Sequence, residues 1–275
     1  MNYRDRSFPP GALELLSRAC NLSINLELRV LFYHLGPGDR DFGFGDALHQ
    51  LSSDHIIRKL RLHIDTDGSI HPEFSLNDIF GVGTFNHVRD LDLHLHEFPI
   101  STQTIFPNLE ALVCHTPCEG GGLILPGVPW RRLRRLDIST YIQDIPTALR
   151  LLSQRRLIEE CKLLVVVLGL PMDPKVALLN LRALKFKFFF ENLEDFDILD
   201  TFFGLLSFPT LQSLVIFEEN SFLTGSQVMS PLARNLKLMA PQLRELYFNT
   251  PIEDGKTRTL SEHVPLLHIT VVDSE

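Results

Sequence analysis

His87-Val88-Arg89-Asp90-Leu91-Asp92-Leu93-His94-Leu95 reads, from Val88 onward, apolar-x-x-Leu-x-Leu-x-Leu. The same phrase returns down the whole chain. A phrase that recurs at a roughly constant period is the signature of a repeat array. Within the phrase, successive side chains point to opposite faces of a strand. The leucines therefore belong to a core, and the residues between them to an open face.

Aligning the second apolar position of each copy gives Leu60, Leu91, Leu112, Leu136, Cys161, Leu184, Leu214, Leu246 and Ile269. The steps are 31, 21, 24, 25, 23, 30, 32 and 23 residues. Leucine-rich repeats run ~20–29 residues, so the longer steps predict local insertions. Ahead of the first copy, Leu22, Ile24, Leu26, Leu28 and Val30 alternate with other residues at strand period. Together these predict about ten rungs.

Amphipathic pieces lie between the rungs. Helices are predicted over residues 9–19, with Ser7 as cap, and over 46–52, 75–80, 146–152 and 194–206. Another is predicted over 230–236, with Ser230 as cap and Pro231 at the first helical position. Gly36-Pro37-Gly38-Asp39 predicts a loop. Prolines at Pro107, Pro129, Pro209 and Pro241 lead into strands, where they are expected to end one element and start an extended one.

Strand alternating with helix demands parallel strands joined by crossovers. The predicted fold is α/β, a single leucine-rich-repeat solenoid, or horseshoe, over residues 1–275. Its parallel sheet is concave and its helices lie on the convex side. Many such repeats carry Asn or Cys three residues past the last strand leucine. Here Asp65, His96, Pro117 and Tyr141 stand there. Irregular repeats with helical backs are expected.

Composition narrows the function. The chain is 44% hydrophobic, enough for a packed core rather than a disordered chain. Lys and Arg number 26 against 34 Asp and Glu, a net charge of −8, which argues against a nucleic-acid binder. Four scattered cysteines and no signal-peptide core at the N-terminus point to reduced thiols and an intracellular site, cytoplasmic or nuclear. The longest apolar run, residues 163–170, is far short of the ~20 a membrane helix needs.

Two stretches carry a family resemblance. They are Pro129-Trp130-Arg131-Arg132-Leu133-Arg134-Arg135-Leu136-Asp137-Ile138 and Leu157-Ile158-Glu159-Glu160-Cys161-Lys162-Leu163. With Leu15-Leu16-Ser17-Arg18-Ala19 leading into Leu22-Ser23-Ile24-Asn25-Leu26, they resemble the leucine-rich-repeat regions of fungal F-box-type proteins. The resemblance implies a ubiquitin-ligase receptor whose repeats hold the substrate. An F-box docks such a receptor on the adaptor of a cullin–RING ligase. Residues 1–20 are too short for an F-box and no such motif stands elsewhere in the sequence, so a cullin adaptor is expected only if an F-box lies outside this chain. A fragment, a divergent member and a scaffold unrelated to ubiquitin all remain open.

The open face is the predicted binding surface. Its first column is Arg61, Asp92, Val113, Asp137, Lys162, Lys185, Val215, Tyr247 and His268. Its second is His63, His94, His115, Ser139, Leu164, Lys187, Phe217, Asn249 and Thr270. His63, His94 and His115 fall on three consecutive rungs, ~4.8 Å apart, with Asp65 and His96 two residues along. Histidines with a carboxylate nearby are zinc ligands in many sites. A solvated histidine ladder and a pH-sensitive contact are the other readings of the row.

Lys185, Lys187, Phe189, Val215, Phe217 and Tyr247 combine aromatic and cationic groups, as protein-contact hot spots do. Phe189 and Phe217 packed under inserted loops is the competing reading. Arg131, Arg132, Arg134, Arg135, Arg155 and Arg156 read as a solvated rim or an acidic-partner contact. Cys114 and Cys161 stand at core positions, and Cys114-His115-Thr116-Pro117-Cys118 lacks the second half of a zinc motif. No catalytic motif, phosphate loop or dinucleotide fingerprint is present in the sequence. The expected function is non-enzymatic recognition of a protein partner, with no cofactor. The alternative is a metal-dependent or metal-regulated site on the histidine row.

Overall fold

A computed structural model describes residues 23–32, 56–66, 83–95, 104–115, 128–142, 145–153, 156–167, 175–190, 196–218, 226–249, 260 and 267–271. The helices expected over residues 9–19, 46–52 and 75–80, the loop at 36–39, and Cys20, His96, Cys118 and Arg155 lie outside the described residues. The chain falls into two compact units, Met1–Pro129 and Trp130–Glu275.

In the first unit, β1 (Ser23–Phe32), β2 (Ile56–Thr66), β3 (Asp90–Leu95) and β4 (Ala111–His115) pair in chain order, all parallel. Leu26 stands opposite Leu60, Leu60 opposite Leu91, and Leu91 opposite Leu112. The aligned leucine column is thus a set of neighbours in space. Leu60, Leu62, Leu91, Leu93 and Leu112 are fully or almost fully buried.

The second unit repeats the plan. β5 (Arg135–Ile142), β6 (Glu160–Val167), β8 (Ala183–Phe190), β10 (Ser213–Glu218), β11 (Glu245–Phe248) and β12 (His268–Val271) pair in that order, all parallel. Leu136, Cys161, Leu184, Leu214, Leu246 and Ile269 align rung to rung. Two short strands, β7 (Val176–Ala177) and β9 (Leu206–Ser207), form a separate parallel pair. Cys161 fills its leucine slot as a small buried side chain, and Cys114 is likewise buried in the first unit.

Three α-helices stand among the described residues: α1 (Ile145–Ser153), α2 (Phe196–Gly204) and α3 (Ser226–Met239). Each buries one stripe, such as Leu199, Phe202 and Phe203 of α2. Phe202 meets Phe186 edge-on at 5.6 Å, and Phe203 meets Phe188 at 6.1 Å. Phe186 and Phe188 sit at strand positions that alternate with Lys185, Lys187 and Phe189. Helix packing therefore covers one face of β8 and leaves the other open.

Helix α3 starts earlier than expected. It begins at Ser226, so Ser230 is not its cap and Pro231 sits inside it. Proline costs little in the first turn, but further in it removes a backbone donor. Asn235 packs at this point, its Nδ2 donating to the Pro231 carbonyl at 2.9 Å and to Asp200 Oδ1 of α2 at 3.0 Å.

The proline lead-ins do more than end elements. Phe106-Pro107-Asn108-Leu109, Phe208-Pro209-Thr210-Leu211 and Ala240-Pro241-Gln242-Leu243 are tight turns, with the fourth N–H donating to the first carbonyl at 3.1–3.2 Å. Proline suits the second position of such a turn. The first and fourth side chains are buried. In two of these turns, and at Asn180 in the turn Leu178-Leu179-Asn180-Leu181, the third side chain reaches back one rung. Asn108 Nδ2 donates to the Asn86 carbonyl at 2.8 Å, Asn180 Nδ2 to Arg156 at 3.0 Å, and Thr210 Oγ1 to Leu179 at 2.8 Å. A side-chain ladder exists, but it precedes the strands rather than following them.

Two kinds of substitution separate these contributions. Leu214→Ala should lower stability by about 2–5 kcal/mol, because it hollows a filled core. Asn180→Ala removes one partly solvated hydrogen bond and should cost about 0.5–1.5 kcal/mol. Urea unfolding followed by circular dichroism checks the order of the two.

Candidate functional site

Because β2, β3 and β4 pair in register, residues three past the leucine slot stack directly. His63 stands opposite His94, and His94 opposite His115. The rings of His63 and His94 are 4.2 Å apart and 9° from parallel. Those of His94 and His115 are 4.3 Å apart and tilted by 26°. This spacing is close to the strand separation itself. The row is thus a stacked column, with all three rings half-buried.

The structure adds a residue that the histidine column did not contain. Asp92 lies two positions before His94 on the same face, yet it is only 7% exposed. Arg61 Nε donates to Asp92 Oδ2 at 2.7 Å, and Arg61 Nη1 reaches Glu27 Oε2 at 3.4 Å. Asp92 Oδ1 stands 3.0 Å from His94 Nε2. No aligned hydrogen bond reaches that oxygen among the described residues. One ligand atom each from Asp92, His94 and His115 lies within 4.8 Å of the others. His63 stacks on this group from the rung before. His63 Nε2 is 4.0 Å from Glu27 Oε1. The side chains of Asp65 and residue 96 lie outside the described residues.

Burial lowers the pKa of His94, and the positive charge available to His115 lowers it further. Asp92 pulls the other way but does not prevail. His94 is therefore neutral near pH 7, with a ring nitrogen available as a lone-pair donor.

In the second unit, Lys185, Lys187, Phe189, Val215, Phe217 and Tyr247 are all half-buried, on the face opposite the buried strand residues. Lys185 Nζ sits 4.4 Å above the centre of the Phe217 ring, a cation–π contact. Lys162 Nζ pairs with Asp137 Oδ2 at 3.2 Å across the neighbouring rung. Asp137, Lys162, Lys185 and Val215 line a shallow depression of about 190 Å³. Small-molecule sites span ~300–1,000 Å³, so this one fits a side chain better than a cofactor.

Three column assignments shift. His268 stands opposite Glu245, and Thr270 takes the place beside Tyr247, its Oγ1 3.1 Å from His268 Nδ1. The pairing of β5 with β6 slips between Ile138 and Tyr141, so Tyr141 rather than Ser139 faces Leu164. Leu164 itself is buried between Leu163 and Val165. In the basic cluster, Arg131, Arg132, Arg134, Arg135 and Arg156 are exposed, and Arg134 pairs with Glu159 at 3.0 Å. Exposed pairs of this kind stabilise by about 0–1 kcal/mol.

No protein-family model matches the chain, and no curated protein matches it in sequence. Among the described residues no helix is long and apolar enough to cross a membrane.

The ordinary histidine pKa is 6.5. As pH falls through that value, the unfolded chain protonates this ring before the folded chain does. Proton uptake at His94 thus favours unfolding, and its contribution to stability rises with pH up to about 6.5. An NMR titration should show His94 protonating below the ordinary histidine value of 6.5. A midpoint at or above that value would contradict the burial argument.

Proposed function

We propose that the chain is a non-enzymatic protein-recognition module, a leucine-rich-repeat array of irregular repeats that binds its partner on the open side of the sheet. The supporting observation is the second unit's mixed patch. Helices and buried phenylalanines occupy one face of β8. The other presents Lys185 over Phe217, with Lys187, Phe189, Val215 and Tyr247 around them. Half-exposed aromatics beside cations desolvate well against a partner and supply directional contacts at the same time.

The partner is a protein with acidic and apolar groups close together. An acidic side chain would answer Lys185 and Lys187, and an apolar one would enter beside Val215. The resemblance to fungal F-box-type proteins supports reading that partner as a substrate held for ubiquitin transfer. The connection to a cullin-ligase adaptor rests on that resemblance alone, and an F-box outside this chain would supply it.

Comparative pull-downs test the reading. The native chain and a Phe217→Ala, Tyr247→Ala variant are used as baits and the captured proteins compared. Both side chains are half-buried, so the variant should keep its circular dichroism spectrum. A partner captured by the native chain and lost from the variant is expected, since central aromatic anchors are worth about 2 kcal/mol or more each. Identical captures from the two baits would dismiss the patch as the contact. A full-length chain that never captures a cullin adaptor would dismiss the ligase connection.

A further inference from the structure

We propose that Asp92, His94 and His115 form a binding site for a divalent first-row transition-metal ion on the open face of the first unit. Three observations meet there. The three ligand atoms lie within 4.8 Å of one another. Two imidazole nitrogens and one carboxylate oxygen are a donor set that zinc and its neighbours in the series accept. Strands β3 and β4 hold the two histidines at paired positions, so the backbone has already brought them together.

The second observation is the buried carboxylate oxygen. Asp92 is only 7% exposed, and its Oδ1 has no aligned hydrogen bond among the described residues, only the close contact with the His94 ring. Buried polar atoms without a partner are rare and costly. Yet this oxygen is 3.0 Å from His94 Nε2. Two atoms bound to one zinc ion at ~2.0–2.2 Å stand about 3–3.5 Å apart, and their lone pairs aim at a third point rather than at each other. A short separation without hydrogen-bond alignment is what such a pair presents.

The third observation is the support around the site. Arg61 holds the other oxygen of Asp92 at 2.7 Å, which fixes the carboxylate in the way that outer groups fix metal ligands. Glu27 also faces Arg61, so two carboxylates stand against one guanidinium and the local balance favours a cation. His63 stacks on His94 and holds the plane of that ring. His115 is half-exposed, so a bound ion at this point stays within reach of solvent. Three protein ligands leave a coordination position open to water or to a side chain of a bound partner.

Calorimetric titration of zinc chloride into the chelator-stripped full chain tests the site. One saturable site per chain is expected. Asp92→Asn and His115→Ala should each weaken binding by roughly tenfold or more, and Arg61→Met by about 10–100-fold through the freed carboxylate. His87→Ala, in the turn before β3, should leave the affinity as it is. Cobalt(II) gives a second readout, because the native chain should develop a visible absorption band that His94→Ala, His115→Ala lacks. If Asp92→Asn fails to fold, the half-exposed His115→Ala decides the question. No saturable zinc binding by the native chain would overturn the proposal. So would binding that survives the loss of both histidines.

Discussion

One backbone device sets everything else: the carbonyl just before a strand accepts two N–H groups from the next rung. Arg89 receives Glu110 and Ala111 at 2.8 and 2.9 Å, and Arg134 receives Glu159 and Glu160 at 2.7 and 3.0 Å. Glu159, Arg182 and Gln212 repeat the arrangement toward the C-terminus. The doubled acceptor locks where pairing begins. Since side chains alternate along a strand, a slip by one residue would turn every leucine to the wrong face. Register is therefore held both by these hydrogen bonds and by the burial that follows from them.

Locked register turns sequence columns into physical columns. It stacks the three imidazoles ring on ring, and it places Arg61 beside Asp92 and Lys162 beside Asp137. The same rule sends Phe186 and Phe188 toward α2 while Lys185 and Lys187 stay on the other side. Chemistry on the open faces is thus decided by which residues fall at matching positions in consecutive phrases. A single substitution on one rung changes the neighbourhood of the rungs on both sides.

The leucine alignment was readable from the sequence because one apolar stripe at period two is a strong pattern, and every leucine in it is either buried or paired as expected. What the pattern could not carry was anything that leaves the alternation unchanged. His268 and Thr270 both belong to the open face, and two residues of slide look alike until the partner strand is known. The slip after Ile138 in β5 changes pairing without changing hydrophobicity. Leu164 is buried although it falls in an open-face column, because Leu163, Leu164 and Val165 are apolar on both sides of the strand. Asp92 was visible as a column member, but its burial arises from Arg61 and His94 closing over it, and no one-dimensional pattern encodes that. The turn ladder escaped for a different reason: its Asn and Thr donors sit before the strands, outside the phrase that defines the rungs.

Cysteine cross-linking tests the register most directly. Val215 and Tyr247 face each other on β10 and β11, whereas Val215 and Thr270 are separated by a whole strand. In a background with the native cysteines replaced, Val215→Cys with Tyr247→Cys should oxidise to an intramolecular disulfide, since paired strands bring Cα atoms within the ~4.4–6.8 Å that the bond requires. Val215→Cys with Thr270→Cys should not. Cross-linking of the distant pair in place of the near one would contradict the pairing order of the second unit, and with it the columns on which its surface patch depends.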